Sequence, residues 1–284
     1  MPELPEVETV RRGLAERVVG RRIERVEIGR LRSVRRTGPE RVITGLTGRT
    51  LTRADRRGKY IVCTLDSGES MMVHLRMSGQ LLIDPIDEPR PAHSHVNLEL
   101  SPTGESATVE ELRFVDPRTF GEVVVFGPDD AERVVPELDR LGPDPIADGL
   151  SLHDMRRRLA TTRRGVKALL LDQTVIAGIG NIYGDEILHR AGINPLRPAN
   201  RIGRGPAERL HRAIDEVLRD AVAAGGSTLR DAQYVDLLGQ SGSFQESHRV
   251  YGRAGQTCLT CERGRVRSAT VAGRTTHWCG VCQR

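Results

Sequence analysis

No stretch of the 284-residue chain approaches the ~18 consecutive apolar residues that a membrane span needs, and the opening MPELPEVETVRR has no apolar core of the secretory-signal kind. A soluble, cytoplasmic protein is the expectation. Internal repeats and low-complexity tracts are missing too, which excludes repeat arrays. Phenylalanine is scarce, four in all, so Phe120 on a polar turn stands out. Cysteine numbers five, with Cys63 alone in IVCTL and the other four inside the last 27 residues. That odd, clustered set counts against a disulfide framework and for a metal site in a reducing compartment.

What is present begins with a mild basic excess. Lys and Arg total 43 against 38 Asp and Glu, a net charge of +5, which suits a polyanionic partner and suits ordinary solubility equally. The length allows two domains, each with its own core. Val7, Val10, Leu14 and Val18 fall at helical spacing, so an amphipathic helix starts almost at the N-terminus. From about 21 to 127 the texture becomes short β-like runs, RIERVEI, YIVCTL, MMVHL, HVNLEL and GEVVVFG, separated by turn residues. No long helical pattern intervenes to make parallel crossovers, so an antiparallel sandwich or barrel is expected.

The Pro-, Asp- and Gly-rich stretch from 127 reads as a boundary. The expected division is a β domain over 1–130, a linker over 131–150, a helical domain over 151–226, a mobile loop over 227–248 and a cysteine module over 249–284. The loop STLRDAQYVDLLGQSGSFQESH is long, polar and weakly periodic, as functional loops often are.

Cys258-Leu-Thr-Cys261, seventeen residues, then Cys279-Gly-Val-Cys282 is the two-knuckle spacing that sets four thiolates around one zinc ion. Between the knuckles, RGRVRSATVAGRTTHW predicts a β-hairpin with a turn at AGR and Arg274 near its tip. So short a module has little core, so zinc supplies folding energy. Four cysteines leave no open coordination position, so one structural Zn2+ is expected and the metal does no chemistry. Arg263, Arg265, Arg267 and Arg274 make the finger a phosphate-binding element or, read more plainly, a solvated basic face.

MPELPEVETVRRGL, HLRMSG, DPRTFG, GIGNIYGDEIL and VYGRAGQTC resemble, in order, the signatures of the formamidopyrimidine-DNA glycosylase family, and the likeness spans essentially the whole chain. It implies an α+β multidomain protein: an N-terminal helix plus antiparallel β-sandwich, a helical helix-two-turns-helix domain and a β-hairpin zinc finger. The activity implied is bifunctional base-excision repair on damaged double-stranded DNA by a monomer, in a bacterial, nucleoid-associated setting. PELPE resembles the branch acting on 8-oxoguanine and formamidopyrimidines; the endonuclease VIII branch, acting on oxidised pyrimidines, typically begins PEGPE. A catalytically silent lesion-binding protein is the alternative from another class.

The resemblance assigns catalytic roles to Pro2, Glu3, Lys59 and Arg274. Removal of Met1 leaves a secondary amine on Pro2, whose attack on the sugar C1' gives an iminium ion that stays cationic and draws electrons for elimination. Glu3 is the general acid for the sugar ring oxygen, and Glu6 orders the site. Lys59 assists β-elimination and Arg274 is assigned to δ-elimination, although so basic a group suits phosphate positioning better. Without the likeness, Pro2 and Glu3 simply open a helix, as such residues often do, and Lys59 is a strand-edge charge. Flipping a base out of the duplex leaves a gap, and Met77, Arg118 and Phe120 match the family's void fillers; for Phe120 a buried core aromatic is the plainer reading. His93, Lys167 and Asn181 match DNA-contacting positions, and the 227–248 loop resembles a lid over the flipped purine. Arg76, Thr119, Ala168 and Gly184 depart from residues common in the family.

Overall fold

The computed structural model describes residues 1–102, 108–229, 234–271 and 273–284. Residues 230–233 of the predicted lid and Ala272 of the predicted finger turn lie outside the described residues. The chain divides into two compact units, Met1–Arg140 with Gly225–Ser243, and Leu141–Ala224 with Phe244–Arg284.

In the first unit, helix α1 (Leu4–Arg17) is followed by strand β1 (Ile23–Ile28), helix α2 (Pro39–Leu46) and seven further strands. These are β2 (Leu51–Arg57), β3 (Tyr60–Leu65), β4 (Ser70–His74), β5 (Gln80–Pro85), β6 (Ser94–Leu100), β7 (Glu110–Val115) and β8 (Glu122–Phe126). They form two four-stranded antiparallel sheets of order β1-β6-β7-β5 and β2-β3-β4-β8. One core gathers Val26, Leu98, Leu112 and Phe114 of the first sheet with Ile61, Cys63, Val73 and Val123 of the second, the inward side chains of alternating strands. Val7, Val10 and Leu14 of α1 and Val18 at its C-cap are fully buried in that core, at the helical spacing read from the sequence.

Three strands had escaped the β pattern. Strands β2 and β5 are sheet edges, where the solvent side tolerates residues such as Arg53 and Asp55. Central β7 hides Glu111 and Arg113 in the interior by pairing them with each other at 2.9 Å. The segment expected as linker carries two one-turn helices, α3 (Ala131–Val134) and α4 (Pro136–Asp139), where Val135 and Leu138 are buried.

The second unit is helical: α5 (Leu152–Ala160), α6 (Val166–Leu170), α7 (Asn181–Ala191) and α8 (Arg204–Ala223), followed by a hairpin of β9 (Val266–Val271) and β10 (Arg274–Cys279). Ser151 caps α5 by accepting the Asp154 N–H, and left-handed Gly192 ends α7. Among the described residues no helix is long and apolar enough to cross a membrane.

Candidate active site and metal centre

Pro2 is buried immediately before α1, and Glu3, the residue that opens the helix, is 2 % exposed. Glu3 and Glu6 form a reciprocal capping box in which the Glu3 N–H donates to Glu6 Oε2 at 2.8 Å. The other Glu6 oxygen accepts the Ser227 N–H at 2.7 Å, and the Glu6 carbonyl accepts the Tyr234 hydroxyl at 3.3 Å. A Cβ on Gly226, at φ +80°, would come within 2.7 Å of the Glu6 carboxylate, so glycine is required there. The start of the 227–248 segment is thereby fastened to the residue pair that follows Pro2. Burial and the Glu6 charge push the Tyr234 phenol well above its ordinary range, so it stays a hydrogen-bond donor.

Lys59 occupies the β2–β3 turn and is 7 % exposed. Its turn is tied to α1 by a pair that sequence reasoning missed: buried Arg56 donates to Glu8 Oε2 at 3.0 Å and to the Gly58 carbonyl at 3.0 Å. Burial of Glu8 is outweighed by hydrogen bonds from Arg11, Arg56 and Arg12, and its carboxyl lies below the usual range. Glu8 and Arg56 read in the sequence as two more surface charges, so no signal exposed them.

Met77 and Phe120 are solvent-facing at 39 % and 44 % exposure, which removes the core reading of Phe120. The Arg118 guanidinium lies 3.9 Å from the Met77 sulfur, so the three void-filling candidates come from two adjoining loops. Fully buried Asp116 joins those loops. Its carboxylate accepts the Ser78 hydroxyl at 2.6 Å, the Gly121 N–H at 2.7 Å and the Arg118 N–H at 3.3 Å. Its backbone N–H donates to the His93 carbonyl at 3.0 Å, so exposed His93 joins the same group of loops. The turn-forming Asp-Pro of DPRTFG is the one sequence signal that marked Asp116.

Arg76, His93 and Thr119 all adopt positive φ, at 54°, 68° and 56°. A glycine would adopt that backbone freely at position 76. Here Arg76 instead donates to fully buried Glu122 at 2.9 Å, alongside Arg35 and Arg36. Burial raises the Glu122 carboxyl, hydrogen bonds from Arg36 and Arg76 lower it, and the net direction is down.

In the second unit, Lys167, expected to contact DNA, lies among side chains of its own unit. It is 1 % exposed, and its ammonium lies 2.6 Å from Asp185, donates to Asn181 Oδ1 at 2.7 Å and donates to Thr276 Oγ1 at 2.7 Å. A desolvated ammonium survives only with partners like these. Asp185 also accepts the His277 N–H at 2.9 Å, and Asn181 Nδ2 donates to the Thr275 carbonyl at 2.9 Å. Lys167 therefore positions Asn181, at the start of α7, against β10. Arg274 is exposed at the first residue of β10, next to Gly273 at φ +73°.

Cys258, Cys261, Cys279 and Cys282 bring their sulfurs within 4.8 Å of one another. The Cys258–Cys282 and Cys261–Cys279 separations of 3.7 and 3.8 Å match the edge, about 3.8 Å, of a tetrahedron with ~2.3 Å zinc–sulfur bonds. Backbone N–H groups of Gly264 and Arg263 lower the Cys261 thiol to about 6, while burial raises Cys282, whose proton zinc must displace. The four sulfurs fit one structural zinc ion. Arg263, Arg265, Arg267 and Arg274 are exposed along the finger.

The family model of the formamidopyrimidine-DNA glycosylase N-terminal domain matches residues 1–123, and that of the formamidopyrimidine-DNA glycosylase H2TH domain matches residues 141–233. The formamidopyrimidine-DNA glycosylase of Desulfitobacterium hafniense is 41 % identical over 283 residues, covering 100 % of both chains. A Lactococcus lactis Fpg solved with DNA containing an abasic site is 35 % identical, with a TM-score of 0.89 over 99 % of each chain. The wild-type Lactococcus lactis Fpg solved with DNA containing an oxidised pyrimidine is 35 % identical, with a TM-score of 0.88 over 100 % of each chain.

Proposed function

The chain belongs to the formamidopyrimidine-DNA glycosylase family, and from that premise we propose that it removes 8-oxoguanine and formamidopyrimidines from duplex DNA and cleaves the strand by β,δ-elimination. The observation that carries this reading is the clamped N-terminus: Pro2 stands directly before a carboxylate pair, Glu3 and Glu6, linked by the 2.8 Å hydrogen bond. Removal of Met1 frees the Pro2 amine. Its nitrogen bonds to C1' as the glycosidic bond breaks and the base leaves with a proton, while Glu3 protonates the ring oxygen so that the sugar opens. The resulting iminium takes up the electron pair released when a C2' proton is removed, and the C3'–O bond breaks with departure of the 3' phosphate; loss of a C4' proton from the unsaturated iminium then expels the 5' phosphate as the C5'–O bond breaks. Lys59 assists that proton removal. Arg274, Asn181 and His93 hold phosphates, and Met77, Arg118 and Phe120 fill the space the flipped base leaves. Lys167 acts through Asn181. The PELPE start places oxidised purines first. A second substrate class, oxidised pyrimidines, is favoured by the Lactococcus lactis relative solved on such DNA.

The test is borohydride trapping of the enzyme freed of Met1 on duplexes carrying 8-oxoguanine opposite cytosine, with an oxidised-pyrimidine duplex in parallel. A covalent complex on the first is expected, and absence of trapping with active, correctly processed protein overturns the Pro2 mechanism. Preferential trapping on the second duplex assigns the enzyme to pyrimidines. We propose that the protein works in the bacterial cytoplasm on the nucleoid, which a fluorescent fusion coinciding with DNA stain checks.

A further inference from the structure

The second unit carries a concentration of positive charge that no assigned role uses. Residues 151–164 and 197–204 hold eight arginines and one aspartate, more positive charge in 22 residues than the whole chain's net +5. Distant in sequence, the two segments are laid side by side by backbone hydrogen bonds. Ala199 N–H donates to the Arg164 carbonyl at 2.9 Å, Asn200 N–H to the Thr162 carbonyl at 3.1 Å, and Val166 N–H to the Arg197 carbonyl at 2.8 Å. Gly165 and Pro198 form an antiparallel bridge between them.

Some of this charge is locally matched. Arg157 pairs with Asp154 at 3.1 Å, Arg164 with Asp172 at 3.0 Å and Arg204 with Glu208 at 3.0 Å, all largely exposed pairs that salt weakens. Arg156, Arg163 and Arg201 are exposed, and among the described residues their side chains have no partner. Arg156, Arg157 and Arg204 line a cleft of about 430 Å³ with His153 and Asn200. Helix α8 opens at this cleft with no acidic residue in its first turn. Guanidinium forks spaced along a surface and left without carboxylates match the repeating phosphates of a nucleic-acid backbone.

We infer that the face formed by residues 151–164, which include α5, with the 197–203 segment and the start of α8 is a phosphate-binding surface for duplex DNA, additional to the residues that handle the lesion. The inference rests on the proposed function for its choice of duplex DNA as the polyanion. Each guanidinium that neutralises a phosphate releases counterions, so the surface contributes to affinity without reading sequence or damage.

The test compares full-length wild type with the triple variant Arg156→Gln, Arg163→Gln, Arg201→Gln on a lesion-free duplex of about 30 base pairs across a salt series. Two control variants accompany it: lysine at the same three positions, and glutamine at Arg190, Arg212 and Arg219, an equal charge change elsewhere on the unit. Expected is a fall of about two to three in the slope of log affinity against log salt for the first glutamine variant. The lysine variant keeps most of the slope, the control glutamine variant changes it far less, and the single-turnover excision rate at saturating enzyme is unchanged. An unchanged slope, an equal loss in the control, or a loss in the lysine variant as large as in the glutamine variant each overturns the surface. Tighter binding of an RNA hairpin than of the duplex, lost in the same variant, overturns the choice of DNA. Excision is read separately, so an inactive wild type sinks the catalytic reading while the salt slopes still decide this one.

Discussion

Glu6 holds Glu3: one carboxylate oxygen accepts the Glu3 N–H at 2.8 Å while the other accepts the Ser227 N–H at 2.7 Å. One side chain thus sets the backbone that follows Pro2 and anchors the segment expected to cover the base. Glu6→Gln preserves the shape but replaces one acceptor oxygen with an NH2 group, which cannot accept the N–H it faces. Losing such a buried, charge-assisted bond costs about 1.5–3 kcal/mol. The expected outcome is a 10- to 100-fold slower borohydride-trapping rate with lesion-duplex affinity altered much less. A variant that traps at the wild-type rate rules out Glu6 as the positioning residue.

Lys167 separates a structural from a contacting lysine. Lys167→Met leaves the buried Asp185 carboxylate without its cation, and breaking such a pair costs about 3–5 kcal/mol. Denaturant unfolding should register that loss. If stability is kept and only DNA affinity falls, Lys167 reaches phosphate after all.

Thr119 is a β-branched residue at φ +56°. Asparagine tolerates the left-handed region where threonine is strained. Thr119→Asn should therefore stabilise the protein by about 1 kcal/mol, read as a raised melting temperature. A lowered one refutes strain at this position.

Zinc should be present at one equivalent per chain by metal analysis. Cys279→Ser removes one of the four sulfurs, and the hairpin loses its main source of folding energy. Full metal content and full DNA binding in that variant would refute the site.

His248 gives a pH signature. Burial lowers its imidazole to about 4, against about 6.5 in the unfolded chain. The folded state thus favours the neutral ring. Its contribution is complete above pH ~6.5 and is lost as pH falls towards 4, by about 1.4 kcal/mol per pH unit. The ring sits between Phe244 and Tyr251, with centroids at 5.8 and 5.6 Å, so phenylalanine is a suitable replacement. Between pH 7 and 4 the wild type should lose stability relative to His248→Phe. Parallel pH profiles would contradict the assignment.

The features legible in the chain were those written in local spacing. Apolar positions three and four apart in α1, alternation in β3 and β6, and CxxC pairs around a hairpin report geometry that neighbouring residues impose on each other. Strands β2 and β7 escaped because an edge and a buried ion pair both disguise strands as polar sequence. Phe120 was open to two readings, and its exposure followed from where the DPRTFG loop lies, which composition does not encode.

By itself the sequence determined the helix behind Pro2, the antiparallel β character, the helical second half and the four zinc-binding sulfurs, because each depends on period or spacing along the chain. Tertiary structure alone decided that Glu6 also fastens Ser227, that Asp116 gathers the Met77, His93 and Phe120 loops, that Lys167 is buried among partners of its own unit, and that two arginine-rich segments share one face. Those outcomes depend on hydrogen bonds and burial between residues tens to hundreds of positions apart, where a charged side chain's role is set by the partner it meets.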